Sequence, residues 1–266
     1  MEKLGLIGAG NMAGAIISGI LGAKLLPPDE ICVCDHNADK VQAYADRGLV
    51  PCKDAAEVVR RCRYVVLAIK PQNFEELLSQ IRGDVTDDTV IISIAAGISP
   101  DYLCKGLGRR CRVVQVMPNT PLLIGRGAVA ISRVAPTTDE EFAFAKSLFQ
   151  AAGEVEEIDN KLMNEVIAIN SSSPAYIYRF AKVVCDRAAE LGFDRDCANR
   201  LFCNALIGSA YMMLESGKTH QELMDMVTSR GGTTYAGLQA LTNGHFDETL
   251  VDCYDATTRR AYELGK

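Results

Sequence analysis

Residues 3–13 read Lys3-Leu4-Gly5-Leu6-Ile7-Gly8-Ala9-Gly10-Asn11-Met12-Ala13. Lys3–Ile7 is short and apolar, as a buried strand is, and Asn11–Leu21 carries small and apolar residues at helical spacing. Between them stands G-x-G-x-x-A, the pattern by which a strand–turn–helix holds a dinucleotide. Gly8 permits the tight turn, Gly10 lets the backbone approach a pyrophosphate, and Ala13 keeps helix and strand close. Asn11 and Met12 open the helix, whose first amides and dipole suit a phosphate. A glycine pattern alone is common in ordinary turns. Its strand, its helix and a second strand–helix unit downstream give this one its meaning.

Outward from that stretch the alternation continues. Ile31–Cys34 is a second short apolar run, followed by amphipathic Ala38–Asp46. Tyr64–Ile69, Val90–Ile94, Arg112–Val116 and Ala128–Ile131 read as strands, and Phe74–Ile81, Asp101–Leu107 and Asp139–Ala151 as helices between them. Continuous Val/Ile runs fit strands covered on both faces. From about Asp159 the strands stop and helical periods take over: Lys161–Ile169, Pro174–Leu191, Asp196–Ser216, His220–Val227, Thr233–Thr242 and Asp247–Leu264. The expected fold is α/β. Residues 1–160 form a Rossmann-type, doubly wound parallel sheet, and residues 161–266 an all-helical C-terminal domain. Helices with this many apolar stripes close as a bundle or bury a face against a second copy; dimerisation is the expectation.

In a doubly wound sheet the strand C-termini face the ligand. Asp35 ends the second strand, where it can accept bonds from a ribose or cap the helix beginning at Ala38. His36, Asn37 and Lys40 can hold a 2′-phosphate instead, which leaves NAD and NADP both open. Ala68-Ile69-Lys70-Pro71 ends the next long strand and puts Lys70 beside the cofactor or on a solvated face. In Ser93-Ile94-Ala95-Ala96-Gly97, small residues such as Ala95 and Ala96 admit a flat nicotinamide. Met117-Pro118-Asn119-Thr120-Pro121 is a stiff loop whose Asn119 can hold a carboxamide or substrate, or brace the turn.

The helical half carries two motifs of its own. In Asn170-Ser171-Ser172-Ser173-Pro174-Ala175-Tyr176, Ser173 is a natural N-cap and Pro174 a natural first helical residue. Thr228-Ser229-Arg230-Gly231-Gly232-Thr233-Thr234 offers amides and hydroxyls at a helix start, either as a nest for a small carboxylate or as an ordinary cap.

Taken in order, these motifs make the chain resemble pyrroline-5-carboxylate reductases over essentially its whole length. The resemblance rests on Gly8–Ala13, Ala68–Pro71, Ser93–Gly97, Met117–Pro121, Ser173–Tyr176 and Gly231–Thr234. It implies NADPH as cofactor, with NADH the second candidate, and the substrate 1-pyrroline-5-carboxylate near a dimer interface. It also implies that Ser229, Gly231, Gly232 and Thr233 cradle the carboxylate, while the Thr234 hydroxyl serves the ring nitrogen. The cofactor set it suggests is Gly8, Gly10, Asn11, Met12, Ala13, Asp35, His36, Ala68, Lys70, Pro71, Ala95, Ala96 and Asn119. The chain departs from the family pattern at Ser171, where glycine is usual and a side chain now stands beside the substrate pocket. It departs again at Arg230, where proline is common. Reduction of an already electrophilic protonated imine needs no strong general acid. This suits a helical half whose histidines, His220 and His245, lie outside the motif. The rival within the fold is a hydroxyacid dehydrogenase using Lys182 on the first long helix, and the rival outside it is a dinucleotide-binding sensor.

Composition narrows the field further. The net charge is −6 with no basic block, so neither nucleic acid nor an anionic membrane is expected as a partner. The N-terminus lacks the pattern of a signal peptide and no apolar run is long enough to span a bilayer. Ten cysteines without C-x-x-C spacing read as reduced thiols of a cytoplasmic protein, and no metal site is expected.

Overall fold

The computed structural model describes residues 2–265. An eight-stranded sheet runs in the order β3-β2-β1-β4-β5-β6-β7-β8. The strands are β1 (Glu2–Ile7), β2 (Ile31–Cys34), β3 (Val50–Pro51), β4 (Cys62–Leu67), β5 (Val90–Ser93), β6 (Arg112–Met117), β7 (Gly127–Val134) and β8 (Gly153–Glu157). The helices among them are α1 (Asn11–Gly22), α2 (Ala38–Ala45), α3 (Ala55–Arg61), α4 (Phe74–Ile81), α5 (Pro100–Leu107) and α6 (Asp139–Gln150). All pairings are parallel except β6 with β7. The doubly wound parallel sheet expected from the alternation is thus observed, with one antiparallel pairing. Residues 118–126 are too few for a crossover, which takes a dozen or more, so β7 returns antiparallel.

The strands bury both faces with a period of two. Ile31 and Val33 of β2 join α1 and α6 in one core, while Cys32 and Cys34 join α3, α4 and α5 in the other. Phe149 and Phe74 are among the largest wholly buried side chains of these two cores. The connections leaving β1 and β4 go to opposite faces of the sheet, which opens a crevice at their C-terminal ends. Away from the crevice, Glu141 of α6 is 1% exposed and accepts bonds from Arg63 and Arg112.

By internal contact the chain divides into residues 1–174 with 257–266, and residues 175–256. The helical period expected at Lys161–Ile169 is instead a 3-10 turn, Asn160–Leu162, and a π turn, Ile167–Ser171. Its apolar rhythm is real, since Met163 and Ile167 pack with Met117, Ala130 and Ala261. Its polar groups tie it to the sheet, however: the Asn160 amide donates to Gln115 (2.8 Å).

The second unit is drawn from α7 (Ser173–Glu190), α8 (Arg195–Glu215), α9 (His220–Met226), α10 (Thr233–Asn243) and α11 (Phe246–Leu264). Among its described residues only Cys185 and Ala198 are buried apolar groups. Phe180 and Phe202 meet edge to face at 5.5 Å, and Phe180, Leu201, Ile207 and Leu214 remain exposed.

Candidate active site

The glycine loop is pinned where β1 meets β4. Gly8 has φ +104°, and a Cβ on it would stand 2.5 Å from the Ala68 carbonyl oxygen, so only glycine fits. Its amide donates to the Cys34 carbonyl (2.8 Å), and the Ala68 amide donates to Ile7 (2.8 Å). Gly10 differs: it caps α1 without any side-chain bond, and a Cβ there would meet nothing within 4 Å. The amides of Asn11, Met12 and Ala13 lack an intrahelical partner by position, and the space beside Gly10 is open. An anion fits there, and a side chain at position 10 would fill its approach.

Asp35 holds this loop. Its Oδ2 accepts the Ala9 amide (2.7 Å) and its Oδ1 the Asn37 amide (2.9 Å), and the side chain is 6% exposed. Burial alone would raise its pKa. The Ala9 and Asn37 amides, with His36 and Lys40, outweigh burial and hold the carboxyl below its ordinary range. The capping alternative is corrected: Asn37 caps α2, its Oδ1 accepting the Asp39 (3.0 Å) and Lys40 (3.2 Å) amides. Each Asp35 oxygen retains a lone pair with which to accept a further bond.

Two clefts flank the loop. One, of about 490 Å³, is lined by Gly8, Asp35, His36, Lys53, Ile69 and Asn73. The other, of about 470 Å³, lies over α1 and α2 and includes Gly10, Asn11, Lys40 and Arg47. His36 and Lys40, taken together in the sequence, are thus separated. Lys53, which the sequence did not single out, joins His36. Cys34 borders the first cleft, its thiol pushed up to about 12 by burial first and then by Cys52 and Asp35, so it stays protonated. None of the ten cysteines is joined in a disulfide.

Lys70 is exposed at the end of the β4 segment, where Pro71 starts a 3-10 turn. Ala95 is buried, with its methyl in the core and its amide donating to Ser93 Oγ (3.5 Å), and Ala96 is half-buried. Asn119 is corrected to a brace. Its Oδ1 accepts the Ala128 amide (2.9 Å), and its Nδ2 donates to the Asn170 carbonyl (3.2 Å). Asn170 reciprocates, donating to the carbonyls of Met117 (2.7 Å) and Ala128 (3.2 Å). The Ser171 hydroxyl lies 2.9 Å from the Pro118 carbonyl and 3.1 Å from Asn170 Oδ1. The extra side chain at position 171 is thus turned onto the framework. Ser173 is also corrected: it is the first residue of α7, and its hydroxyl donates to Asn170 (3.3 Å) instead of accepting a helix amide.

In the second unit, Ser229–Thr234 forms the turn into α10. Gly231 has φ +71°, and the Gly232 amide donates to Ser229 (2.9 Å). A Cβ on Gly232 would lie 2.4 Å from Ser229 Oγ. Gly232 caps α10 with no side chain to satisfy its first amides, whereas α9 has a full capping box from Thr219 and Glu222. Thr233 and Thr234 are exposed, and among the described residues no hydrogen bond engages their hydroxyls. Open amides and free hydroxyls at one helix start match a small carboxylate better than a cap that is already satisfied. Lys182, the residue on which the hydroxyacid dehydrogenase reading rests, is a solvated ion-pair partner of Asp186 (2.5 Å). Among the described residues no cluster of His, Cys, Asp or Glu could hold a metal, and no helix is long and apolar enough to cross a membrane.

Known proteins agree with this arrangement at the level of the whole chain. A family model described as pyrroline-5-carboxylate reductase dimerisation matches residues 160–264, and one described as NADP oxidoreductase coenzyme F420-dependent matches residues 3–97. The chain is 33% identical to a pyrroline-5-carboxylate reductase of Escherichia coli, covering 100% of this chain and 99% of that protein. It is 32% identical to pyrroline-5-carboxylate reductase 2 of Bacillus subtilis, covering 99% and 95%. The crystal structure of Plasmodium falciparum pyrroline carboxylate reductase with NADP bound superposes with a TM-score of 0.90 at 27% identity, covering 100% of both chains. With its glycine loop, its Gly-Gly-Thr-Thr turn and this end-to-end likeness, the chain belongs to the pyrroline-5-carboxylate reductase family.

Proposed function

We propose that this chain reduces 1-pyrroline-5-carboxylate to L-proline, the last step of proline biosynthesis, with NADPH as reductant and NADH as second candidate. The observation that carries the reading is the uncapped Gly231–Thr234 turn in a chain matching reductases of that substrate end to end. When bound, a reduced nicotinamide would supply a hydride to the C=N carbon of the protonated imine, and the neutral secondary amine that results would take up a proton from solvent.

The protein's part is to bind and orient. Residues 1–160 serve as the dinucleotide-binding domain. The Asn11, Met12 and Ala13 amides hold the pyrophosphate across Gly8 and Gly10. Asp35 and His36 lie at the ribose, and Ala68, Lys70, Pro71, Ala95 and Ala96 line the remainder. Residues 161–266 serve as the helical dimerisation and substrate domain. Ser229, Gly231, Gly232 and Thr233 hold the carboxylate. Thr234 is the catalytic residue, its free hydroxyl meeting the ring nitrogen as the carbon becomes tetrahedral. Asn119 acts as a brace. The chain works as a homo-oligomer through the helical domain, in the cytoplasm.

The test is NADPH oxidation followed optically with pyrroline-5-carboxylate and with a 2-hydroxy or 2-keto acid. Turnover of the imine alone is expected. Turnover of the keto acid, or of neither, contradicts the reading.

A further inference from the structure

We propose that Lys53 is the residue by which this chain selects a dinucleotide bearing a 2′-phosphate. The inference rests on the dinucleotide reading above and adds the side chain that sets cofactor choice. The cleft beside Asp35 is unfriendly to an anion without it: Asp35, Asp54 and Glu76 all line it. A phosphate monoester brings a further charge of about −1.5 to −2 near neutrality. Lys53 is the lysine among the lining residues.

Its backbone is fixed next to the end of β2. The Cys52 amide donates to Val33 (2.9 Å) and the Lys53 amide to Glu57 Oε2 (2.9 Å). Its side chain is 74% exposed and only loosely held, with Nζ 3.7 Å from Asp54 Oδ2. Asp54 is already committed elsewhere: its Oδ1 accepts the Glu57 amide at 2.7 Å as the cap of α3 and lies 4.0 Å from Arg60. The ammonium is therefore free to turn on its four-carbon stem towards an incoming phosphate.

The other basic side chains near the loop, His36, Lys40 and Arg47, are less well placed. His36 is 93% exposed, with Nδ1 turned back on Asp35 Oδ1 at 3.3 Å. Lys40 and Arg47 line the other cleft.

The test is calorimetric titration of the full chain, and of Lys53→Ala, Lys53→Arg and Lys40→Ala, with NADP+ and with NAD+. Loss of a charge-assisted bond in Lys53→Ala should raise the ratio of the NADP+ to the NAD+ dissociation constant by about tenfold or more. Lys53→Arg should keep the ratio of the unsubstituted chain, and so should Lys40→Ala. An unchanged ratio in Lys53→Ala, or a shift appearing in Lys40→Ala instead, overturns the assignment while the dinucleotide reading stands. An unsubstituted chain that binds neither nucleotide contradicts the dinucleotide reading itself.

Discussion

Phe74 and Phe149 in the first compact unit are wholly buried, whereas Phe180 in the second stays 47% exposed although it meets Phe202 edge to face. Burying such a side chain is worth about 1.5–3 kcal/mol, so the contrast is energetic as well as geometric. In the first unit each face of the sheet is closed by its own helices. The second has two small buried groups and a surface rich in Leu, Ile, Met and aromatic side chains. Apolar surface on that scale marks an interaction site. The grip on a dinucleotide thus belongs to a core that one chain completes. The proposed carboxylate nest belongs to a scaffold that leaves its apolar side chains exposed in one copy.

Substitutions that act on one unit alone sharpen this comparison. Gly10→Val should have the largest effect. Its Cβ meets no protein atom, so the variant should fold, with a melting temperature within about 4 °C of the parent for the poorer helix cap. Its branched methyls occupy the approach of the pyrophosphate, and NADPH affinity in a fluorescence titration should fall by at least about 100-fold. Parental affinity would break the assignment of the loop.

Thr234→Ala in the second unit should be milder. A hydroxyl that bonds the nitrogen chiefly in the transition state lowers kcat and kcat/KM together, by about tenfold for one such bond. Thr233→Ala, on the carboxylate side, should mainly raise KM. Because neither hydroxyl is engaged by another described residue, the melting temperature should not move. A drop in melting temperature with unchanged kinetics would make Thr234 a structural cap.

Most of the first unit was legible because its strands are buried on both faces and therefore written in Val, Ile and Leu. What escaped has physical causes. β8 reads Gly153-Glu154-Val155-Glu156-Glu157, an edge strand whose glutamates face solvent. β3 is two residues long and contains Pro51, which only an edge tolerates. Lys53 follows that strand, and nothing in its local sequence points across to Asp35. Asn119 was readable as a loop residue, but its role depends on Asn170, a partner 51 residues away. The Gly-Gly-Thr-Thr turn was legible as a nest or a cap. Only the absence of a side chain serving its amides separates the two.

The helical unit leaves its apolar surface open in one copy, and the mass of the full chain in solution tests most directly whether a second copy covers it. Static light scattering at micromolar concentration, with circular dichroism on the same sample, should give at least twice the mass of one chain together with full helical content. A single-chain mass with the same helical signal and undiminished imine reduction would contradict it.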